Sequence, residues 1–240
     1  MITRCARLGL IAAGVALAAS TILAQEVGYL DLTDSVPRER MRSPNGGTGG
    51  FCGGGGSAST AIPEITLRLV SVDKRAYSMG EEVTFEIRVE NTGKESVEIP
   101  WTPHLGDLEP GDPTQSYTYR SAVVILNLTD PDSHHSFDLY GNFYGSTDVP
   151  GTIQEVRPSQ SVLIRTRRRL ETFEDWWVKR VKEVQPLPLK ASPGLMLNTM
   201  TYSPDEKGDW HSASENSQCT PLNTRKANHL DVVLWPRSSN

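Results

Sequence analysis

Apolar and polar residues alternate along much of the chain. The clearest case is residues 82–90, whose apolar members are Val83, Phe85, Ile87 and Val89. A period of two places apolar side chains on one face of an extended segment and polar side chains on the other. This pattern predicts a β-strand with one buried face.

Other segments repeat this pattern between turn residues. Residues 91–94 read Asn-Thr-Gly-Lys, which favours a turn, so we expect residues 82–90 and 96–101 to form a hairpin. Residues 122–126 are apolar enough for a strand covered on both faces. Strands are also predicted over residues 65–70, 117–128, 136–140, 161–169 and 229–235. The fold class that follows is mainly β, an antiparallel β-sandwich.

Residues 170–184 depart from the strand pattern. Their apolar side chains recur at intervals of three or four, and acidic residues precede basic ones: Leu170, Phe173, Trp177, Val181 and Val184 are the apolar set. This spacing favours an amphipathic helix inserted between strands. A bent pair of strands is the alternative, because Val and Trp also suit sheets. The segment that follows, residues 194–227, is mostly polar and is expected to be irregular.

The first 24 residues have the pattern of a secretion signal. Arg4 and Arg7 precede an apolar run, and the small residue Ala24 ends it. We expect residues 1–24 to be removed and the mature protein to be periplasmic or extracellular. The run is shorter than the roughly 20 apolar residues of a membrane anchor, so no stable membrane insertion is expected after cleavage.

Glycine dominates residues 43–56. Such a composition favours a flexible linker, which we place over residues 25–61, followed by one domain over residues 62–240. A phosphate-binding loop would need a lysine and a helix start after the glycines. The residues after Gly56 supply neither.

The net charge limits the class of partner, and the cysteines indicate a possible disulfide. The net charge of −5 argues against a nucleic-acid binder. Cys5 lies in the predicted signal, which leaves Cys52 and Cys219 in an oxidising compartment. We expect these two to form a disulfide within one chain. Two free thiols, or pairing with another chain, are the alternatives.

One short segment is rich in possible metal ligands: Asp130, Asp132, His134, His135 and Asp138. Their order lacks the acidic spacing and the glycine of a calcium loop. A solvated turn is therefore expected here rather than a metal site.

Catalytic motifs are also incomplete. Gly145-Ser146-Thr147 lacks the second glycine of a hydrolase elbow. Cys52 lies in glycine-rich sequence without a base to activate it, and Glu81 and Glu82 stand at a strand start, where exposed charge is expected. We therefore predict no catalytic residue, no cofactor and no metal, and expect that the protein is not an enzyme.

The residues 165–169 form the strongest local cluster of charge. On a strand, Arg165, Arg167 and Arg169 would share one face, with Thr166 and Arg168 on the other. Such a row could bind a sulfated or phosphorylated polymer or lipid head groups. The preferred interpretation is exposure that protects an edge strand, or pairing with nearby carboxylates. Those carboxylates are Glu171, Glu174 and Asp175.

Tryptophan side chains offer a second kind of surface, on which a sugar could stack. The positions of Trp177 and Trp235 in amphipathic segments predict that both lie in the core. Trp210, in a polar segment, is expected to be exposed.

Residues 74–93 carry a recognisable pattern. Tyr77, then Gly80-Glu81, then the alternating strand, then Asn91 and Gly93 resemble the signature of bacterial immunoglobulin-like β-sandwich modules. This group includes adhesion-type repeats and intracellular-proteinase-inhibitor-type domains. The resemblance implies an immunoglobulin-like sandwich and a binding or spacer role, since such modules mostly act through contacts.

We therefore expect an exported, non-catalytic binding or accessory module of the cell envelope. Its partner would be a protein or an envelope polymer, contacted by the predicted loops at residues 102–115 and 141–151. A protease inhibitor is the alternative, and a hydrolase with a site assembled from scattered residues is a less favoured one.

Overall fold

The computed structural model describes residues 24–34, 64–102, 117–171, 175–204, 210–212, 218–220, 223–224 and 227–237. Within these residues the strands are β1 (Gln25–Leu32), β2 (Glu64–Val72), β3 (Ala76–Ser78), β4 (Glu82–Asn91), β5 (Val97–Pro100), β6 (Tyr117–Thr129), β7 (Ser136–Gly145), β8 (Ile153–Val156), β9 (Gln160–Arg169), β10 (Leu187–Pro204), β11 (Trp210–Ser212), β12 (Gln218–Thr220), β13 (Asn223–Thr224) and β14 (Leu230–Trp235). The helix α1 spans Asp175–Glu183.

Two sheets pack face to face. One has the strand order β1-β9-β4-β2-β13, and the other has the order β3-β14-β10-β6-β7. Alternate side chains of both sheets meet in one apolar core, which includes Phe85, Ile87 and Ile164 from the first sheet and Val124 and Leu126 from the second. A cavity of about 10 Å³ with an apolar lining lies in this core. The chain is therefore mainly β, with two stacked layers.

The sheets are mixed, and the expectation of a purely antiparallel sandwich was wrong. Strand β1 pairs with β9 in parallel, as do β13 with β2 and β14 with β3. Each of these pairs joins strands that are distant in sequence, so no tight turn forces them to run in opposite directions.

The predicted hairpin of residues 82–90 with 96–101 was also wrong. Strand β4 pairs with β2 and β9, whereas β5 pairs with β8 in a separate two-stranded sheet. The buried Asn91 turns the chain away from β4. Its Nδ2 donates to the carbonyl oxygens of Glu95, at 2.7 Å, and of Val156, at 2.8 Å.

The amino-terminal strand corrects the predicted linker. Gln25–Leu32 was placed in the linker but forms β1. Its apolar side chains are few, yet Leu30 and Leu32 are both buried in the core. Parallel pairing with β9 satisfies the backbone groups on one side of β1, which a local sequence pattern does not reveal.

Two predicted irregular segments are strands in part. Strand β7 continues through residues 141–145 of the predicted loop, and β10 continues to Pro204 within the predicted irregular segment. Pro193 interrupts the sequence pattern of β10. Among the described strands its region pairs with β6 alone, because β14 pairs with residues 187–191 and β12 with residues 197–199. A proline is tolerated where a ladder lacks one partner.

The helix prediction is confirmed over Asp175–Glu183. Trp177 is fully buried, as expected, and contacts Phe137 edge to face at a centroid distance of 4.7 Å. Trp235 was expected in the core but is 42 % exposed. In the described part of the chain, no helix is both long and apolar enough to cross a lipid bilayer.

A side chain closes one border of the first sheet. The amide of Asn228 binds Leu69 of β2 twice: Leu69 N donates to Oδ1 at 2.7 Å, and Nδ2 donates to Leu69 O at 2.9 Å. Asn228 thus replaces a neighbouring strand at that point.

Candidate binding surfaces

The arginine row lies on the outer face of the first sheet. Arg165, Arg167 and Arg169 alternate along β9 with inward positions, as the period of a strand requires. Strand β9 lies between β1 and β4. The row therefore does not protect an edge strand, and that part of the sequence interpretation was wrong.

Carboxylates neutralise much of this row. Arg167 lies 3.6 Å from Glu82 and 3.5 Å from Asp34, and Arg169 lies 2.9 Å from Glu171. Glu171 is one of the expected partners, whereas Glu174 lies outside the described residues. The other partners come from β4 and from the end of β1, which sequence proximity could not indicate. This surface is a ladder of paired charges rather than a free basic groove.

Arg165 completes the ladder. A hydrogen bond with Tyr29 raises the pKa of Arg165, and the charges of Glu86 and Asp31 act in the same direction. Strands β1 and β4 thus supply groups that favour the charged guanidinium from both sides of β9.

Arg168 faces the opposite way, into the space between the sheets. Its Nε donates to the carbonyl oxygen of Tyr140 on β7, and its Nη1 donates to Arg167 O at 2.6 Å. Burial lowers the pKa of Arg168. A Cβ on Gly141 would lie 3.3 Å from Nη2 of Arg168, so the glycine provides room for this side chain. Arg168 therefore links β9 to β7.

The segment rich in possible metal ligands is organised around an ion pair. Asp130 is fully buried, and its Oδ2 lies 2.8 Å from Nε of Arg180 on α1. The hydroxyl of Ser133 also donates to Asp130, and the backbone N–H of Asp132 does the same. Burial raises the pKa of Asp130, but the hydrogen bonds from Arg180, Asp132 and Ser133 together outweigh burial, so the pKa is lowered.

The remaining members of that segment have separate contacts. His135 stacks on Trp176 at a centroid distance of 4.0 Å, and Asp138 accepts a hydrogen bond from Asn127. Within the part of the chain that the structure describes, no group of three or more His, Cys, Asp or Glu side chains is arranged to hold a metal ion.

Several predicted sites lie outside the described residues. These are Cys52, the side chains of Cys219 and Trp210, Glu174, and residues 103–115 of the first predicted contact loop. The Cys52–Cys219 disulfide stays a prediction.

A different surface emerges on the outer side of the second sheet. We call it the β6 face and define it by Val123, Ile125, Tyr140, Gly194 and Met196. Strand β6 alternates, so Ala122, Val124 and Leu126 point into the core and are buried to 1 % exposure or less, while Val123 and Ile125 point outward and are partly exposed.

Register brings the members of the β6 face together. Val123 lies opposite Met196 of β10, and Ile125 lies between Gly194 of β10 and Tyr140 of β7. Tyr140 is 41 % exposed. Gly194 adds no side chain beside Ile125, whose Cβ would lie 3.1 Å from a Cβ built on that glycine. The result is a contiguous uncharged patch across three strands.

Hydrogen-bonded polar groups border this patch. The hydroxyl of Tyr140 donates to Asp138 at 3.1 Å, and Nδ2 of Asn127 donates to the same carboxylate at 2.7 Å. Thr129 donates to Asn127 at 2.6 Å. Burial, followed by the nearby Asp138 charge, raises the pKa of Tyr140. An apolar centre with a polar rim is the usual anatomy of a protein interface.

One feature of the sequence pointed to the β6 face. The apolar run at residues 122–126 predicted a strand covered on both faces, and the structure packs its inner face against the first sheet. What sequence reasoning missed was the register that places Tyr140 and Met196 beside it.

The sequence matches no protein-family model and no curated protein. Among solved structures, the chain is similar to the sporulation control protein Spo0M of Bacillus subtilis at 13% identity and a TM-score of 0.26, covering 72% of this chain and 50% of that one. An alkylpurine DNA glycosylase of Pseudomonas fluorescens matches at 7% identity and a TM-score of 0.27, covering 72% and 31%. The chain thus spans half or less of these two proteins.

A CARDB domain from Pyrococcus furiosus matches at 10% identity and a TM-score of 0.27, covering 72% of this chain and 89% of that domain. These are weak matches between β-rich folds.

Proposed function

We propose that the protein is an exported, non-catalytic module of the cell envelope that binds another protein through the β6 face. The single observation that carries this proposal is the outward pair Val123 and Ile125 on a central strand, flanked by Met196 and Tyr140. Apolar side chains that gather on the outside of a sheet favour association with a complementary apolar surface.

The chemistry of the β6 face favours a protein partner over an envelope polymer. Anionic polymers are bound by cationic and hydrogen-bonding groups, but the centre of this patch is aliphatic with one tyrosine hydroxyl. The arginine row, which could have served such a polymer, already pairs with Glu82, Asp34 and Glu171.

Two further observations support export and the fold type. The predicted cleavage after Ala24 falls immediately before β1, so the mature chain would begin with a strand. The buried Tyr77 accepts a hydrogen bond from Lys74 N at 3.0 Å and donates to Asp73 at 2.8 Å. A tyrosine whose hydroxyl bonds to upstream backbone is also found in immunoglobulin-like sandwiches, the class we assign to this fold.

The test compares two lysine substitutions in the mature protein. Ile125→Lys places a charge in the β6 face, and Thr66→Lys places one on the outer face of the other sheet as a matched control. Each protein is immobilised, exposed to envelope extract, and the bound proteins are quantified by mass spectrometry. Circular dichroism and urea unfolding verify that both variants are folded.

We expect a partner that binds the wild type and Thr66→Lys equally but binds Ile125→Lys at least about tenfold less, because a buried unpaired charge costs more than 1.4 kcal/mol. Equal recovery on all three proteins would overturn the proposal. So would the absence of any protein enriched over a blank surface.

A further inference from the structure

Strand β1 is unusual in its position. Within the described residues it is the first element, it lies at the border of its sheet, and it pairs with β9 alone. It still contributes to the core, because Leu30 and Leu32 are buried. Strand β1 therefore pairs with the edge of β9 and contributes two buried leucines to the apolar core.

Contacts along β1 and just after it make its packing against the first sheet specific. A Cβ on Gly28 would lie 2.9 Å from the indole of Trp101, so a glycine is required there. Glu26 lies 3.2 Å from Arg88. At the other end, Nη2 of Arg167 donates to Thr33 O at 3.1 Å. The first sheet thus recognises the sequence of β1 and not merely an extended backbone.

The connection from β1 to β2 is far longer than the fold requires. Both strands run parallel to β9, so the end of β1 and the start of β2 lie at opposite ends of the sheet. The return path is about 30 Å, given a rise near 3.3 Å per residue and strands about 4.8 Å apart. About 10 extended residues span it, whereas residues 33–63 supply about three times that number.

We propose that β1 is an exchangeable strand: Gln25–Leu32 of one molecule pairs with β9 of a second copy of this chain. The exchanged contacts are identical to those within one chain, so exchange loses no packing of Leu30, Leu32 or Gly28. The long connection allows the strand to reach a neighbour. Pairing within one chain dominates when dilute, because the connection gives β1 an effective concentration of about millimolar. Exchange therefore increases where copies are crowded.

The first experiment uses two variants of the mature chain, Tyr29→Cys and Leu163→Cys. These residues are direct partners across β1 and β9, and both side chains face outward. The variants are mixed at high concentration, incubated and oxidised, and disulfide-linked peptides are identified by mass spectrometry. Neither chain contains both new cysteines, so a 29–163 link requires two molecules, and peptide identification separates it from links through Cys52 or Cys219.

The matched control mixes Tyr29→Cys with Arg68→Cys, which lies on the same outer face of the first sheet but on β2. A disulfide needs Cα atoms within about 7 Å, which only strand pairing provides, so we expect the 29–163 link at about tenfold the yield of 29–68. Equal yields would overturn the proposal.

A second variant does not depend on cysteine. Deletion of residues 36–62 leaves four residues between β1 and β2. At full extension they span about 18 Å, which cannot cover the return path of about 30 Å, so the shortened chain should be a dimer by light scattering. A glycine-serine replacement of the same original length should restore the monomer. A shortened chain that is monomeric overturns the proposal. Ile125→Lys should leave exchange unchanged, which keeps this result separate from binding at the β6 face.

Discussion

Nε of Arg180 on α1 lies 2.8 Å from Oδ2 of Asp130, whose carboxylate is fully buried at the end of β6. The two residues are 50 positions apart in the sequence. A helix as short as Asp175–Glu183 is marginal on its own in water. The ion pair, together with buried Trp177, therefore holds α1 against the β6–β7 turn.

The first prediction concerns this ion pair. Arg180→Ala leaves a buried carboxylate without its cation, so it should lower the free energy of unfolding by about 3 kcal/mol. Urea unfolding followed by circular dichroism measures this. The matched control is Lys179→Ala on the same helix, whose partner Glu183 lies 3.8 Å away at the surface. That change should stay within about 0.5 kcal/mol, and equal losses would contradict the role of the pair.

The second prediction concerns acid. The folded state lowers the pKa of Asp130, because the hydrogen bonds from Arg180, Asp132 and Ser133 together outweigh the opposing effect of burial. Its contribution is therefore complete above the unfolded pKa of about 3.9 and is lost as the pH falls through the folded pKa. Asp130→Asn should show a smaller drop in urea midpoint between pH 7 and pH 3 than the wild type. Hydrogen bonds from Thr33 also lower the pKa of Asp31. Asp31 is present in both proteins, so it affects their pH profiles equally. Parallel pH profiles would exclude Asp130 as a source of acid sensitivity.

The third prediction ranks two glycines in the β7–β8 region. A Cβ on Gly145 would overlap the carbonyl oxygen of Thr152 and lie 3.0 Å from Cα of Pro100. Gly151 has a φ of 80° with nothing within 4 Å of a built Cβ. Gly145→Ala should cost about 3 kcal/mol because backbone must move. Gly151→Ala should cost about 1 kcal/mol from backbone strain alone. Thermal unfolding gives both values, and the reverse order would show that the close approach is wrong.

The fourth prediction concerns Asn91, whose Nδ2 donates to Glu95 O and Val156 O. Asn91→Asp places a carboxylate oxygen against two carbonyl oxygens and should lower stability by about 3 kcal/mol at pH 7. Burial raises the pKa of such a carboxyl, so the loss should diminish as the pH falls and the group is protonated.

Asn91→Leu is the comparison for this test. It removes these two hydrogen bonds and also the one that Gly93 N donates to Oδ1 of Asn91 at 2.9 Å. It adds no charge, so its loss should not depend on pH. If the two variants lose equal stability from pH 4 to pH 8, repulsion between the new carboxylate and the two carbonyl oxygens does not cause the loss in Asn91→Asp.

Local patterns predicted the strands better than their partners. The alternation of Val83, Phe85, Ile87 and Val89 depends only on neighbouring residues, and all four are buried in β4. The choice of β9 as a partner for both β4 and β1 depends on contacts between distant segments. The same limit applies to the turn at Asn91. Its sequence resembles a hairpin turn, but the Asn91 side chain donates a hydrogen bond to Val156 O of β8.

The candidate sites show the same division. The sequence predicted a solvated turn at Asp130, whereas this carboxylate is buried. The local pattern could not reveal this, because the cation that pairs with it, Arg180, is on a helix far along the chain. The alternation in residues 165–169 correctly separated Arg168 from the outward arginines. Trp177 was predicted as buried from helical spacing, whereas Trp235 lies near the end of β14, where the strand period gave too little information.

Asn228 has a consequence for behaviour at high concentration. Leu69 N and Leu69 O are the groups that an incoming chain would need in order to extend β2, and a single carboxamide already binds both. Addition of a strand from another molecule, which can lead to fibres, is thereby blocked at this edge. Natural sheets protect their edges in several other ways for the same reason. Replacement of Asn228 by alanine should therefore make the protein more prone to aggregate.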